Sequence, residues 1–167
     1  MARVFLSIGS NIRPEAHFRL CALALANHFS DLTWSPIYRS AAVGMAGDDF
    51  LNAVVSARTN KTVEATHKLL KQIEDEHGRV RAANKFTSRT LDIDLLLYDD
   101  AVLGTSSLTL PSPDLTSAAY VLVPLVDLEP AGVHPLLNRT YQELLYDLEK
   151  VQPNYKSTLS AVAIRMA

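Results

Sequence analysis

The sequence of 167 residues has little of what marks secreted, membrane-bound or cross-linked proteins. Its single cysteine, Cys21, cannot form an internal disulfide or supply the ligands of a zinc finger. No apolar run approaches the roughly 18 residues that a membrane-spanning helix needs. The apolar stretch at the N-terminus is too brief for a signal peptide. We therefore expect a cytoplasmic protein that does not bind membranes.

Neither sign of charge is in large excess, since 16 Lys and Arg residues stand against 18 Asp and Glu residues. Proteins that wrap nucleic acid carry a clear positive balance, so we expect no nucleic-acid partner. The sequence also has no internal repeat, and its length is typical of one domain. We predict a single domain over residues 1–167 that acts as a monomer on small-molecule substrates.

Alternating strand and helix patterns predict the fold class. A buried strand at residues 3–9 precedes a helix that begins at Pro14 and ends near residue 29. Further strands are predicted at residues 32–40, 50–57 and 91–98, and Thr62 is expected to cap a second helix that ends at residue 77. This βαββαβ order predicts an α+β fold with a ferredoxin-like core, in which one antiparallel sheet carries its helices on one face. The proline-rich remainder is predicted to form a C-terminal extension with a last helix at about residues 140–150.

The most informative stretch places a basic loop directly before an acidic strand. Four of the cationic residues fall within eleven positions: Arg79, Arg81, Lys85 and Arg89. Asp92 and Asp94 follow, two positions apart in a predicted strand, so both carboxylates should lie on one sheet face with Cα atoms about 7 Å apart. We expect the alternating apolar residues to face the helix-covered core: Leu91, Ile93, Leu95 and Leu97.

This combination of charges suits phosphoryl transfer. Two carboxylates can hold a hard divalent cation such as Mg²⁺, which commonly takes one or two carboxylates plus substrate phosphates. Basic side chains suit the remaining phosphate oxygens. Two other interpretations stay open at this point: a solvated strand beside a loop that only adds solubility, and a carboxylate pair of the glycosidase type. The sequence contains no P-loop motif, so any nucleotide must be bound without one.

The segment from Gly78 to Tyr98 resembles the signature of the hydroxymethyldihydropterin pyrophosphokinase family of folate biosynthesis. Only Ser88, usually proline in that family, departs from the pattern around Arg-Thr-Leu-Asp-Ile-Asp. Three further stretches are also similar to the family: residues 6–11, 50–52 and 120–125. The resemblance covers roughly residues 2–150. It implies the ferredoxin-like core, ATP as co-substrate, and pyrophosphate transfer from ATP to the hydroxymethyl group of a reduced pterin, with release of AMP.

The resemblance also implies roles at the ATP end of the site. Asp92 and Asp94 match residues that bind two Mg²⁺ ions bridging the ATP phosphates. Arg79 and Arg89 match catalytic arginines that act on the phosphates during transfer. The remaining positions that match ATP contacts are Glu74, Arg81, Lys85, Leu95 and Thr109. For Glu74, an exposed glutamate on the helix surface stays open as an alternative.

At the pterin end, the resemblance implies that Phe50 and Tyr120 stack on the ring and that Asn52 reads its edge. The backbone of Ser40, Ala41 and Val43 is expected beside them. The physics agrees, because a flat heterocycle favours aromatic faces and its amide edge needs paired donors and acceptors. Taken alone, the pattern at these two aromatics favours core residues.

One segment departs from the family. After Pro111 the family places two histidines and two arginines, whereas this chain has Ser112, Asp114 and Ala118 in that stretch. Charged hydrogen bonds contribute about 1.5–3 kcal/mol each, so we expect weaker ATP binding or turnover. The alternative is a catalytically weakened paralogue that binds a pterin or uses a related one. An RNA-binding sheet is a further hypothesis, but the strands lack the aromatic pattern that such sheets need.

Overall fold

The computed structural model describes residues 1–41, 47–78, 90–164 and 166, which form an antiparallel sheet packed between helices. In chain order the elements are β1 (Ala2–Ser10), α1 (Pro14–His28), β2 (Ser30–Trp34), β3 (Ile37–Ser40), β4 (Phe50–Thr59), α2 (Val63–Glu76), β5 (Asp92–Tyr98), β6 (Leu103–Gly104), β7 (Thr109–Leu110), α3 (Asp114–Ser117), α4 (Ala119–Leu128), α5 (Tyr141–Val151), α6 (Tyr155–Thr158) and β8 (Leu159–Val162). The predicted strand at residues 32–40 is two strands, β2 and β3. Both pair with β4, and Pro36, which has no backbone N–H to donate, lies between them.

The main sheet has the strand order β5-β1-β4-β3-β8, and β2 also pairs with β4. One face is covered by α1, through Phe18 and Leu25, and by α2, through Leu70 and Ile73. Thr62 caps α2 by accepting a hydrogen bond from the backbone N–H of Ala65, as predicted. This part of the structure confirms the α+β fold class and the ferredoxin-like core. Within the described residues, no helix has the length and apolar content to cross a membrane.

The C-terminal extension covers the second face of the sheet. Leu122 of α4 and Leu144 of α5 belong to an apolar cluster that includes Phe5 and Val54 from the strands. The sequence predicted an extension with a helix near residues 140–150, but it did not predict that the extension would pack on the sheet. The helices on one face are therefore those of the βαββαβ core, and the extension supplies the helices of the other face.

The apolar cluster beneath α1 and α2 is called the first apolar cluster here, and the one beneath α4 and α5 the second. A β-bulge in β5 changes which side chains face the first apolar cluster. Opposite β1, Leu6 pairs with Leu95 and Phe5 with Leu97, so Leu96 is an extra residue. The expectation that Leu97 faces the core beneath α1 and α2 is wrong for this reason. Leu91, Ile93 and Leu95 belong to the first apolar cluster, whereas Leu97 belongs to the second. The bulge lies beyond Asp92 and Asp94, which keep their predicted common face.

Candidate active site

A row of residues on the second face links the acidic strand to the predicted pterin residues. Gly9 of β1 pairs with Asp92 on one side and with Asn52 on the other, and Asn52 pairs with Tyr38 of β3. Residues paired in this way share a sheet face, and two strand spacings separate Asp92 from Asn52 by roughly 10 Å. A Cβ on Gly9 would lie 3.5 Å from Asn52 Oδ1, so the glycine leaves the space between the two side chains open.

Three carboxylates meet at the edge of this row. Glu74 of α2, Asp92 and Asp94 each offer one oxygen, and these oxygens lie within 4.8 Å of one another. The Asp94 side chain is 47% exposed, whereas the Glu74 side chain is fully buried. The alternative of an exposed helix glutamate at position 74 is therefore wrong. Clustered carboxylate oxygens are the donor set that hard divalent cations prefer.

Glu74 also fixes α2 against the edge of the sheet. Its Oε1 accepts a hydrogen bond from the backbone N–H of Ile93 at 2.7 Å. Lys71 Nζ donates to the backbone carbonyl of Ile93 at 3.3 Å and to Glu74 Oε1 at 3.1 Å. The N–H and C=O groups of an edge strand otherwise have no strand to pair with. Two side chains of α2 thus take the place of a neighbouring strand beside the acidic pair.

Lys71 is a site residue that the sequence reasoning missed. Besides its contacts to Glu74 and Ile93, its Nζ lies 3.5 Å from Asp94 Oδ1. The available signal was local: Lys71 and Glu74 carry opposite charges at positions i and i+3 of a predicted helix. That signal is common on helix surfaces and says nothing about which strand lies beneath the pair.

The electrostatic environment of Asp94 disfavours its charged form. Loss of hydration, together with the negative charge of Asp92, raises the pKa of Asp94 to about 6, although Lys71 acts in the opposite direction. A divalent cation bound here would offset that repulsion between carboxylates.

A polar cavity of about 360 Å³ opens beside Asp94, one of the three carboxylates. It brings together Asp94, Leu95 and Thr109, all three of which were predicted to contact ATP or its metal. Lys71 and His67 line the side formed by α2. The remaining lining residues belong to the segments before and after β7: residues 105–108, Ser112, Pro113 and Asp114.

The segment that departs from the family pattern is packed onto the rest of the structure. The backbone N–H of Ser112 donates to the carbonyl of Leu96 at 2.9 Å, which ties this segment to β5. Ala118 is 7% exposed and belongs to the second apolar cluster. An arginine at position 118 would have to displace that packing.

The predicted pterin residues occupy the neighbouring part of the same sheet. Ser40 pairs with Phe50, and Asn52 Nδ2 donates a hydrogen bond to Ser40 Oγ at 2.7 Å. Tyr120, in the first turn of α4, is 43% exposed, so it is not a core aromatic. Phe50 is half-buried at the start of β4, and Ala41 follows β3 directly.

The end of β1 joins two parts of the chain that flank the site. Ser10 Oγ donates to the backbone carbonyl of Thr90, and Asn11 Nδ2 donates to that of Asp48 at 3.2 Å. In the sequence, Ser10 and Asn11 follow the first strand and belong to the stretch at residues 6–11 that is similar to the family. Five predicted site residues lie outside the described residues, and their roles stay predictions: Val43, Arg79, Arg81, Lys85 and Arg89.

Comparison with known proteins identifies the family of this chain. The sequence model of the 7,8-dihydro-6-hydroxymethylpterin-pyrophosphokinase (HPPK) family matches residues 5–130. The 2-amino-4-hydroxy-6-hydroxymethyldihydropteridine pyrophosphokinase of Aquifex aeolicus is 33% identical over 145 residues, which cover 86% of this chain and 90% of that protein. The protein of the same name from Synechocystis sp. is 32% identical over 147 residues, which cover 86% of this chain and 75% of that protein.

Solved structures show the same fold. The crystal structure of wild-type Plasmodium falciparum HPPK-DHPS with SDX-DHP matches with a TM-score of 0.73 at 16% sequence identity. The match covers 98% of this chain and 48% of that one, so this chain spans about half the length of the solved protein. The structural matches show an α+β fold with an antiparallel sheet. The sequence matches are more specific than the fold. The chain belongs to the HPPK family.

We predict that Glu74→Ala lowers the free energy of unfolding by about 3 kcal/mol. The change leaves the Ile93 N–H and the Lys71 ammonium without a buried, charged acceptor, and such bonds contribute about 1.5–3 kcal/mol each. Urea denaturation measures the loss, and amide hydrogen exchange should show reduced protection at Ile93. Glu76→Ala is the control on the same helix, because Glu76 is exposed and bonds only to Gln72 among the contacts described. Equal stability of the two variants would contradict the assignment of Glu74 as the tether.

Proposed function

We propose that this chain transfers the pyrophosphate group of ATP to the hydroxymethyl oxygen of 6-hydroxymethyl-7,8-dihydropterin in a Mg²⁺-dependent reaction. In this reaction the hydroxyl oxygen forms a bond to the β-phosphorus and loses its proton to solvent, while the bond from that phosphorus to the α-phosphate oxygen breaks and AMP leaves. The observation that carries the proposal is the row on one sheet face from the three-carboxylate cluster, across Gly9, to Asn52. Family membership supports this reaction and does not favour the catalytically weakened paralogue.

The donor set fits the metal that the family implies. Asp92 and Asp94 would hold Mg²⁺, with two ions expected, while Glu74 stays bonded to Ile93 behind them. Bound Mg²⁺ neutralises charge on phosphate oxygens and aligns the attacking and leaving groups. The cavity lined by Leu95 and Thr109 accepts the nucleotide in this arrangement. We keep Arg79 and Arg89 as catalytic phosphate contacts, with Arg81 and Lys85 as further ATP contacts, on the resemblance alone.

The second end of the row suits a flat polar heterocycle. The Asn52 amide carries both donor and acceptor groups, and Ser40 Oγ holds its Nδ2 in place at 2.7 Å. Phe50 and Tyr120 would stack on the ring, with the backbone of Ser40, Ala41 and Val43 beside it. The span of roughly 10 Å between Asn52 and Asp92 is on the scale of a bicyclic ring with its hydroxymethyl arm. The acceptor oxygen would then point toward the carboxylates.

The same features bear on partners and location. One chain supplies both ends of the row, so a single domain over residues 1–167 is sufficient as a monomer. The balanced charge and the carboxylates on the sheet face favour small-molecule substrates over a nucleic-acid backbone. We propose that the protein works in the cytoplasm, independently of membranes.

The direct test is an assay of AMP release from Mg-ATP and 6-hydroxymethyl-7,8-dihydropterin, in which Asp94→Asn should reduce turnover at least about a hundredfold. The change removes the charge of a metal-binding oxygen, and a metal contributes several kcal/mol to such a reaction. Asp100→Asn is the control, since Asp100 is an exposed aspartate just beyond the same strand. Turnover of the Asp94→Asn variant within a few-fold of wild type would contradict the assignment of Asp94 as a metal ligand. A wild-type protein that binds the pterin in calorimetry but releases no AMP would instead be the paralogue.

The pterin assignment has its own test. Asn52→Ala should weaken pterin binding at least about tenfold, because two hydrogen bonds of about 1 kcal/mol each are lost. Binding of Mg²⁺ with a non-hydrolysable ATP analogue should not change. Asn60→Ala is the control, because Asn60 is exposed at the end of the same strand. Calorimetry with each ligand measures both effects, and an unchanged pterin affinity would remove Asn52 from the site.

Metal binding should depend on pH. Because the pKa of Asp94 is raised to about 6, a proton occupies this carboxylate below that pH and competes with the metal. Affinity for Mg²⁺ should therefore rise between about pH 5 and about pH 7 and level off above it. Titration calorimetry with Mg²⁺ alone measures the profile, and Asp94→Asn should remove most of the rise. An affinity that stays constant across this range would count against Asp94 as a ligand.

A further inference from the structure

We propose that the ammonium group of Lys71 pairs with Asp94 in the absence of metal and contacts nucleotide phosphates once a divalent cation binds Asp94. We call Lys71 the internal cation of the site for this reason. The inference rests on the proposed function, in that it assigns the cavity to a Mg²⁺-bound nucleotide. It concerns a residue that belongs to neither the basic loop nor the acidic strand.

Among the contacts of Lys71 within the described residues, two anchor its ammonium group and one is weaker. Its Nζ donates to Glu74 Oε1 at 3.1 Å and to the Ile93 carbonyl at 3.3 Å, and both acceptors are buried. The contact to Asp94 Oδ1 is longer, at 3.5 Å, and reaches a half-exposed carboxylate. The side chain is 30% exposed and lines the cavity. The ammonium group can therefore release Asp94 without leaving its anchors or crossing apolar protein.

The charges of the cavity give Lys71 a distinct role. The described residues that line it include two carboxylates, Asp94 and Asp114, and two basic side chains, Lys71 and His67. Loss of hydration, followed by the charge of Lys71, lowers the pKa of His67, so its ring is neutral near pH 7. Among these described lining residues, Lys71 is the one that keeps a positive charge. A polyphosphate in the cavity needs such a charge.

The opposite wall cannot supply this charge. Residues 112–118 contain no lysine, arginine or histidine. Position 118, where the family pattern has arginine, holds an alanine that is packed in the second apolar cluster. Lys71 approaches the same cavity from α2, next to the carboxylate that would hold the metal. The cation missing from one wall is thus present on the other.

This arrangement predicts that one variant, Lys71→Met, changes the affinity for Mg²⁺ and the affinity for the nucleotide in opposite directions. Lys71→Met keeps the apolar stem of the side chain and removes its charge. The affinity for Mg²⁺ alone should increase at least about threefold, because no internal cation competes for Asp94. The affinity for Mg²⁺ with a non-hydrolysable ATP analogue should fall at least about tenfold, because the phosphates lose a charged contact. Calorimetry at about pH 8, where Asp94 is ionised, measures both.

Three comparisons make the result decisive. Lys68→Met is the matched control, because Lys68 is exposed on the same helix one turn earlier, and both affinities should stay at wild-type values. Lys71→Arg keeps the charge and should retain most of the nucleotide affinity. If K71M fails to fold, K71Q replaces it, since its amide can still bond Glu74. Affinities that both fall, or that both stay within twofold of wild type, would overturn the inference.

The outcome is separable from that of the proposed function. Neither affinity requires pterin or turnover. Opposed shifts in K71M, with no AMP release by the wild-type protein, would support Lys71 as the internal cation and reject pterin pyrophosphorylation. Normal AMP release by the wild-type protein, with unchanged affinities in K71M, would support pterin pyrophosphorylation and reject Lys71 as the internal cation.

Discussion

The N–H and C=O of Ile93 point out of the edge of the sheet, and the geometry of the site depends on how α2 satisfies them. Glu74 accepts from the N–H and Lys71 donates to the carbonyl, so an ion pair of α2, with Glu74 fully buried and Lys71 half-buried, takes the place of a neighbouring strand. Because Asp92 and Asp94 flank Ile93, the same bonds set the distance from Glu74 to both aspartates. This pair is costly to break, because the fully buried carboxylate of Glu74 would lose the charge that compensates it.

From this edge the sheet carries the geometry to the other end of the site. Antiparallel pairing fixes Asp92, Gly9 and Asn52 in one row, with backbone positions that side-chain motion cannot change. Glycine in the middle of the row leaves a floor without a side chain, where a flat ligand can lie against the backbone. The extension anchors the rest of this face: α4 and α5 pack on Phe5 and Val54, and Tyr38 donates a hydrogen bond to Asp127 of α4 at 2.5 Å.

The sequence was a good guide wherever local periodicity or capping decided the structure. Alternation placed Asp92 and Asp94 on one face, the helix patterns predicted α1 and α2, and Thr62 was recognised as a cap. Periodicity failed at Leu97, because a bulge inserts a residue that alternation cannot foresee. Periodicity also left the burial of Glu74 undecided and did not identify Lys71 as a site residue. The reason is that helix spacing does not reveal which strand edge a helix face will contact.

By itself, the sequence determined the element order, the α+β class, the acidic pair and the resemblance to pterin pyrophosphokinases, because these depend on short-range patterns and on motifs. Only the tertiary structure decided that Glu74 is buried, that Lys71 lies between two carboxylates and a cavity, and that Ala118 is packed in the second apolar cluster. These properties arise from contacts between residues far apart in the chain, whose free energies no local pattern encodes. Asp92 and Asp94 form a three-carboxylate candidate metal site because Glu74, on a helix some twenty residues earlier in the chain, lies beside them.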